Sequence, residues 1–330
     1  MKRCRTEATA EGGTPPWTAG SFTSRTANTQ GWVNYSVTPV VSNCSGPVSS
    51  VLVNVYVNPA VSFSICSDTI TTTSGKPFLL RCGLPRGGVY TGAGVDSGTG
   101  LFDPSLSGAG NFQVTYSYTN SYNCSSGITG TMHVLPDMPF ICSNLLNDVR
   151  DGHQYPTYLL PNGKCWMKEN LDFGLTISDS GPQTDNCMVE KYHRYSTFNN
   201  RYSSYYQWDE LMRYNPVPGS QGLCPPGWHV PTSAEWDELV DFNTGPGQAG
   251  GPMKDQWLAN GFHSYQQGFL YLNNSWAFTS GLYAGTMYWT SNPQGDERAM
   301  ARGLNSYTPS ASMYPSSRGN AFTVRCTKDL

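Results

Sequence analysis

The residues of this 330-residue chain that could do chemistry are its ten cysteines and five histidines. A cysteine can act as a nucleophile or redox centre when its pKa is lowered, can bind a metal, or can form a disulfide. The sequence contains no CxxC pair, no zinc-finger spacing, no HExxH motif, no phosphate-binding loop and no local Ser/His/Asp signature. Structural disulfides formed in an oxidising compartment are therefore the favoured use of the thiols.

Composition narrows the classes of protein further. Charged residues make up 13 % of the chain, against an average of about 25 %. The net charge of −3 provides no basic excess for a phosphate backbone, so we expect no nucleic-acid partner. No apolar stretch approaches the roughly 20 residues that cross a bilayer, so we expect no direct membrane insertion. Abundant glycine and tyrosine indicate a β-rich chain at an extracellular or cell-surface location.

An internal repeat organises the first 137 residues. Residues 33–38 (VNYSVT) recur as residues 114–119 (VTYSYT), and a cysteine follows each copy, at Cys44 and Cys124. If corresponding cysteines have corresponding roles, Cys4 pairs with Cys44 and Cys82 with Cys124. The second copy carries leading residues that the first lacks, and no signal peptide follows the first residues. We therefore expect a truncated first domain and a chain that is the C-terminal part of a longer surface protein.

Alternating apolar residues and glycine-rich turns predict an immunoglobulin-like β-sandwich for each copy, over residues 1–60 (truncated) and 61–137. Both copies resemble the immunoglobulin-like or PKD-like repeats of Bacteroidetes surface proteins, on the evidence of residues 87–95, 102–104, 108–110 and 123–124. The resemblance implies that these domains are spacers. Self-association through them is an open alternative.

After Pro136 the composition changes. Helical periodicity appears at residues 206–212 and 231–240, where Thr232 and Glu235 predict a capping box. In the second helix Trp236, Leu239 and Val240 form the predicted buried stripe. Short helices among many strands predict an α+β domain over residues 138–330. The tryptophans of this region are Trp166, Trp208, Trp228, Trp236, Trp257, Trp276 and Trp289.

Several blocks of this region resemble the Fibrobacter succinogenes major paralogous domain. They are residues 151–155, 163–171, 206–210, 224–231, 235–236, 288–291 and 322–329. That family is similar to the formylglycine-generating-enzyme branch of the C-type-lectin fold. The resemblance implies a scaffold whose first and last strands pair, with long loops on one face. Proteins of this fold often bind calcium, but the sequence has no acidic stretch of the EF-hand type. We therefore predict no cofactor, with calcium binding as an open alternative.

The two strongest blocks contain Cys224 and Cys326, which we expect to form a disulfide. Cys165 with Cys187 is the next expected pair, leaving Cys66 and Cys142 as a clamp between domains. A copper-dependent oxidase of the related fold would instead need reactive thiols at Cys224 and Cys326.

Other polar side chains of the region are interpreted as structural. We expect His229 to be a hydrogen-bonded scaffold residue rather than a catalytic base. Glu169 and Asn170 are expected to make buried hydrogen bonds to a neighbouring loop. Four helix carboxylates are interpreted as exposed charges rather than a catalytic pair: Asp209, Glu210, Asp237 and Glu238.

Residues 292–320 are rich in Ser, Tyr, Asn and Gly, as recognition loops are, and depart from what a core requires. Their position resembles the variable region of lectin-like proteins that diversity-generating retroelements mutate. Tyr283 and Tyr288 could join this face or pack beneath it, and ordinary surface loops are the alternative for the whole segment. The predicted ligand-binding residues are Asn292, Gln294, Asp296, Arg298, Arg302, Asn305, Tyr307, Tyr314 and Arg318.

Among these, Arg302, Tyr307 and Tyr314 are the predicted energetic centre, since aromatic residues and Arg dominate such interfaces. The sequence thus predicts a non-enzymatic extracellular ligand-binding protein or adhesin whose partner is a protein or glycan. Two other classes stay open: a structural subunit of a surface filament, and an oxidase of the formylglycine-generating type.

Overall fold

The structure is a computed structural model, and it describes residues 3–5, 31–37, 40–41, 44–64, 69–178, 180–196, 201–254, 262–264, 268–272, 278–280, 285–305 and 307–329. Within these ranges the chain is mostly β-strand, in several sheets with few helices, as the composition predicted. No helix among the described residues is long and apolar enough to cross a membrane.

Among the described residues of the first half, the regular elements are strands and one short helix. They are β1 (Arg3–Arg5), β2 (Gly31–Val37), β3 (Val40–Val41), β4 (Cys44–Ser45), β5 (Ser49–Val57), β6 (Ser62–Phe63), β7 (Ile70–Thr72), β8 (Phe78–Leu79), β9 (Gly83–Leu84), β10 (Val89–Gly92), β11 (Val95–Asp96), β12 (Leu101–Phe102), β13 (Gly110–Thr119) and β14 (Ser125–Leu135), with one short helix, α1 (Pro104–Ser107).

The second half contains the remaining helices. Its elements are β15 (Leu145–Asn147), β16 (Gln154–Leu159), β17 (Lys164–Met167), β18 (Leu175–Thr176), β19 (Glu190–Ser196), β20 (Arg201–Gln207), α2 (Trp208–Leu211), α3 (Ser233–Phe242), α4 (Gly250–Lys254), β21 (Leu270–Leu272), β22 (Phe278–Ser280), β23 (Gly285–Gln294), β24 (Arg298–Asn305), β25 (Ala311–Ser317), β26 (Ala321–Phe322) and β27 (Thr327–Asp329).

The chain forms two compact units. The first comprises Met1–Phe63, Gly83–Tyr90 and Thr115–Thr129, and the second Ser64–Cys82, Thr91–Val114 and Gly130–Leu330. The domain boundaries at residues 60/61 and 137/138 stay predictions.

In the first unit, one tyrosine of the repeat motif explains a neighbouring glycine. Tyr116 is buried, its hydroxyl donates to the carbonyl of Pro85, and the backbone N–H of Gly88 donates to that hydroxyl at 2.9 Å. A Cβ at Gly88 would lie 2.4 Å from the Tyr116 hydroxyl oxygen, closer than atoms can approach. Gly88 therefore permits the close approach of the ring.

In the second unit, three sheets build the C-terminal region. Their strand orders are β15-β16-β17-β27, β18-β19-β20-β26-β21-β22 and β23-β24-β25. Strand β17 pairs antiparallel with β27, so that Trp166 lies opposite Thr327. The family resemblance implied that the first strand pairs with the last; the last strand pairs instead with β17, the third strand after residue 137, because β15 and β16 extend the sheet beyond it.

The core of this region is aromatic. Trp166 and Trp236 are fully buried with ring centroids 5.1 Å apart, and Phe262 packs edge-on against both. The buried guanidinium of Arg325 lies 4.1 Å from the centroid of the Phe262 ring. Its Nε donates to Asn170 Oδ1 at 2.9 Å. Asn170 thus makes the predicted hydrogen bond to a neighbouring loop, the irregular segment that carries Arg325, although the bond is partly rather than fully buried.

Helix α3 follows the sequence pattern closely. The Thr232 hydroxyl oxygen accepts from the Glu235 backbone N–H, while the Glu235 carboxylate accepts from the Thr232 N–H at 2.8 Å, which confirms the capping box. Trp236, Leu239 and Val240 are buried as expected. The earlier helix is shorter than predicted: residues up to Gln207 extend strand β20, and α2 covers only Trp208–Leu211.

Glu235 does more than cap its helix. The Nζ of Lys164 lies 2.8 Å, and the Nε2 of His229 2.9 Å, from its Oε1. His229 is buried, and its backbone pairs with Thr327 of β27. The expectation that His229 is a hydrogen-bonded scaffold residue is confirmed.

Two carboxylate predictions need correction. Glu210 is buried rather than exposed, because α2 turns its side chain towards the start of β19, where the Glu190 N–H donates to Glu210 Oε1 at 2.9 Å. Burial raises the pKa of Glu210 to about 7. Glu169 is 41 % exposed and lies 3.6 Å from Arg201, so it is not in a buried hydrogen bond. Asp237 and Glu238 are exposed, as predicted, whereas Asp209 is partly buried and lies 3.4 Å from Arg318.

The predicted bridge between Cys224 and Cys326 is confirmed, with Cα atoms 5.8 Å apart and both residues fully buried. The bridge joins the segment before His229 to the segment before β27, residues 102 positions apart.

The other disulfide predictions were wrong where the structure describes them. Cys82 bonds to Cys187, so the Cys82–Cys124 pair does not form, although Cys124 is itself disulfide-bonded. Cys142 bonds to Cys165, which rules out both Cys165–Cys187 and Cys66–Cys142.

The reason is spatial proximity, since a disulfide requires Cα atoms within about 7 Å and sequence spacing does not supply it. Ser143, next to Cys142, donates its N–H to the hydroxyl of Thr157 on β16, the strand beside the one that carries Cys165. The side chains of the predicted Cys4–Cys44 pair lie outside the described residues.

Replacing both Cys224 and Cys326 with serine should lower the free energy of unfolding by about 4–5 kcal/mol, because the bridge closes a loop of roughly 100 residues. Denaturant unfolding under non-reducing conditions measures the loss. A double variant as stable as the parent would show that strand pairing alone closes the domain.

Glu235→Gln should destabilise the folded state by about 2–3 kcal/mol at neutral pH, since it removes the charge that compensates Lys164. Burial opposes ionisation, but hydrogen bonds from His229, Lys164 and Thr232 hold the pKa of Glu235 well below its ordinary value of 4.5. This contribution is therefore present above pH 4.5 and is lost as the pH falls towards the lower, folded-state pKa.

Urea unfolding of parent and variant between neutral and acid pH measures the difference. The gap between them should narrow below about pH 4.5. A gap that stays constant into acid would contradict the role of the Glu235 charge.

Candidate ligand-binding site

The segment expected to form loops is a β-meander. Strands β23, β24 and β25 pair antiparallel in that order, and β24 runs through the middle with Ala299, Ala301 and Leu304 buried. The prediction that this stretch lacks core residues was therefore wrong. Small residues make the central strand possible, because a Cβ at Gly303 would lie only 2.9 Å from the sulfur of Met287.

The meander separates the predicted binding residues into groups. Gln294, Asp296 and Arg298 lie exposed at the turn between β23 and β24. Asn305 ends β24, seven residue steps from Arg298 or about 23 Å, and Tyr307 follows it. The nine predicted residues therefore do not form one patch.

Two residues near the turn are held by the scaffold. The guanidinium of Arg318 lies 4.2 Å from the centroid of the Trp208 ring and donates to the carbonyl of Gly295 at 2.9 Å. The side-chain oxygen of Asn292 accepts from the backbone N–H of Ser233 at 2.7 Å, at the start of α3. Both side chains fix the turn against the helices.

Arg302 is also a structural residue. It is 2 % exposed, its Nη1 donates to the carbonyl of Ala311 at 3.1 Å, and its Nη2 contacts the carboxylate of Asp237 on α3. Its opposite neighbour on β25 is Met313. Arg302 is buried because side chains alternate between the two faces of β24. The sequence pattern predicted a loop here, so this alternation was not expected.

The exposed aromatic residues lie beyond the end of β24, at Tyr307, and midway along β25, at Tyr314 opposite Ala301. Tyr307 is 80 % exposed and Tyr314 is 50 % exposed. The Tyr307 N–H donates to Asn305 Oδ1 at 2.7 Å, which fixes the start of the β24–β25 connection. Asn305 and Tyr314 are thus brought together, and Tyr307 adjoins Asn305.

Asn305 and Tyr314 line a groove, which we call the tyrosine groove, with a volume of about 380 Å³. Its described lining is Phe269, Tyr271, Thr286, Met287, Gly303, Leu304, Asn305, Tyr314, Pro315 and Ser316.

The groove combines an apolar floor with a polar rim. Phe269 and Met287 are buried at its base, and Tyr271 remains 40 % exposed. Burial raises the pKa of Tyr271, and the nearby phenol of Tyr314 raises it further, so the Tyr271 hydroxyl stays protonated and can donate a hydrogen bond at neutral pH.

Sequence reasoning missed Phe269, Tyr271 and Met287 because they precede residues 292–320, the segment that was predicted to bind the ligand. The pairing of β21 with β26, through Leu270 and Ala321, brings two of them beside the meander. Tyr288, left open between surface and interior, is fully buried and its hydroxyl lies 2.8 Å from that of Ser264. Tyr283 lies outside the described residues.

The sulfurs considered for oxidase chemistry are bonded to one another. Cys224 and Cys326 form a buried disulfide, whereas that chemistry requires an accessible thiolate. Within the described part of the chain, no group of three or more His, Cys, Asp or Glu is placed to hold a metal ion. Calcium, which carbonyl oxygens also bind, stays an open prediction.

The fold and the site define a β-rich domain, closed by its last strand and a buried disulfide, with an aromatic groove beside a β-meander. The family model described as the Fibrobacter succinogenes major domain matches residues 161–328, which are 168 of the 330 residues, and the chain belongs to this family. A comparison with curated proteins finds no match.

The three residues predicted to dominate binding differ in the exposed fraction of their side chains. Arg302→Ala should destabilise the protein by about 2–4 kcal/mol, because it empties a buried site and leaves the Ala311 carbonyl without its donor. Tyr307→Ala should change stability by less than about 0.5 kcal/mol, since the side chain is largely in water.

Thermal unfolding of the two variants tests this assignment. Equal melting temperatures for Arg302→Ala and the parent would show that Arg302 is not a scaffold residue.

Proposed function

We propose that this chain is a non-enzymatic extracellular protein that binds a protein or glycan ligand through the tyrosine groove of its C-terminal domain. The observation that carries the proposal is the convergence of Tyr271, Tyr314 and Asn305 on one concave surface. Its volume of about 380 Å³ lies within the range of roughly 300–1,000 Å³ that small-molecule sites occupy.

The chemistry of the groove suits recognition rather than catalysis. Tyrosine rings offer rigid apolar area at low conformational cost, and their hydroxyls form hydrogen bonds at the edge. Asn305 and Ser316 add an amide and a hydroxyl at the rim. Such a surface can accept the C–H face of a sugar ring or the side chains of a bound protein.

Other features support the proposed setting. Disulfides persist in oxidising compartments, in keeping with an extracellular or cell-surface location. The pairing of β17 with β27 supports a C-type-lectin-like fold for residues 138–330, and the β-sheets before it support immunoglobulin-like spacers. Asn305, Tyr307 and Tyr314 lie in the segment that resembles a retroelement-diversified region.

One observation favours the second candidate, a structural subunit of a surface filament. In the first unit, Trp32 and Leu52 are each 58 % exposed and lie diagonally on one face of the paired strands β2 and β5. Exposed apolar side chains that lie together favour association. Assembly that grows with protein concentration and is lost in Trp32→Ser would support this candidate.

The binding proposal is tested with the purified chain on a glycan array and on immobilised bacterial and animal cell-surface protein extracts. Tyr271→Ala and Tyr314→Ala should each weaken the strongest interaction at least tenfold, the effect expected of a central aromatic contact. Melting temperatures should change little, because both side chains are substantially exposed.

Arg298→Ala is the matched control, since Arg298 is exposed at the start of β24, next to the β23–β24 turn, and does not line the tyrosine groove. Loss of binding in the control with retention in both tyrosine variants would place recognition at the β23–β24 turn and contradict the proposed site.

A further inference from the structure

A second cavity lies away from the meander and shares no described lining residue with the tyrosine groove. It has a volume of about 150 Å³ and lies beside the hairpin of β19 and β20. Side chains that shape it are His153, Glu169, Asp172, Arg201, Tyr202 and Ser204. We call it the hairpin pocket.

One carboxylate in the hairpin pocket is held ionised by the surrounding scaffold. Asp172 Oδ1 contacts the Nζ of Lys191 and accepts from the Ser204 hydroxyl, each at 2.5 Å. Burial alone would raise the pKa of Asp172, but these two hydrogen bonds outweigh it and hold the pKa below its ordinary value. The pocket therefore has a fixed acceptor at neutral pH.

A second pair of charges lies at the rim. Glu169 Oε1 is 3.6 Å from Arg201 Nη1, and both side chains are about half exposed. This separation exceeds a direct hydrogen bond, and a ligand hydroxyl beside the pair can accept from Arg201 and donate to Glu169 at the same time. With Lys191 opposite Asp172 and Arg201 opposite Glu169, the charges of the pocket balance. A balanced site favours an uncharged polar ligand over an ion.

Aromatic rings extend the pocket outward. The Tyr202 ring is stacked on the His193 ring with centroids 4.8 Å apart and 7° between planes. Tyr195 packs against Tyr202 at 5.0 Å. Tyr202 and Tyr195 are 62 % and 47 % exposed, so their apolar surface faces solvent beside polar groups.

Paired acceptors and donors next to an exposed aromatic surface are what a pyranose ring requires, because it carries vicinal hydroxyls and an apolar C–H face. The volume is well below the roughly 300 Å³ at which drug-sized sites begin, so it suits a single ring. We propose that the hairpin pocket binds one uncharged sugar residue. The proposal rests on the pocket alone and stands whether or not the tyrosine groove binds a ligand.

The test uses saturation-transfer NMR of the whole chain with methyl pyranosides of glucose, galactose, mannose, fucose, N-acetylglucosamine and N-acetylgalactosamine. Methyl glucuronide and methyl glucosaminide serve as charged comparators. At least one neutral glycoside should bind saturably, with a Kd of about 1 mM, and both charged sugars should bind more weakly.

Three variants locate the site. Glu169→Gln preserves shape but removes the acceptor charge, and Tyr202→Ala removes the aromatic surface, so each should weaken binding about tenfold. Tyr314→Ala in the tyrosine groove should leave it unchanged. Circular dichroism melting confirms that all three variants fold.

Comparison of the bound methyl glycoside with the matching di- and trisaccharides shows whether the residue comes from a free sugar or a glycan chain. Tighter oligosaccharide binding indicates a chain end. Three results would overturn the proposal: no saturable binding of any neutral glycoside, preference for a charged sugar, or binding that survives Glu169→Gln and Tyr202→Ala but not Tyr314→Ala.

Discussion

The buried carboxylate of Glu235 is the interaction on which the C-terminal domain depends. A buried charge is tolerated only when it is fully compensated, and three segments supply the compensation. Lys164 comes from β17, His229 from the segment that pairs with β27, and Thr232 from the start of α3. One side chain therefore aligns the first strands, the last strand and the main helix, and the Cys224–Cys326 bridge holds the same segments covalently.

Because Glu235 and the disulfide hold these segments together, the stability of the domain does not depend on the exposed side chains elsewhere. The scaffold residues of the meander are small or anchored: Ala301 and Gly303 permit close packing, while Arg302 ties β24 to α3. The side chains that remain in solvent, such as Tyr307 and Tyr314, make few contacts that stability requires. With this division, the exposed residues of the meander can change without unfolding the sheet beneath.

Prediction from the sequence succeeded where the interactions are local or lie in distinctive blocks. The capping box needs only Thr232 and Glu235, three residues apart, and the Cys224–Cys326 pair lies in the two strongest family blocks. It failed for Cys82–Cys187 and Cys142–Cys165, whose partners are set by how strands and loops meet. Of the predicted binding residues, Asn305 and Tyr314 line the groove, whereas Tyr271 was not predicted and reaches it only through the pairing of β21 with β26.

The sequence by itself determined a β-rich, disulfide-containing chain and membership of its family, because composition, period-2 alternation and motif order are properties of the linear chain. Tertiary structure alone decided that residues 285–317 form a sheet, that Arg302 and Glu210 are buried, and that a polar pocket forms beside Asp172. These features depend on strand register. A shift of one residue exchanges the buried and exposed faces, and register is set by partners distant in sequence.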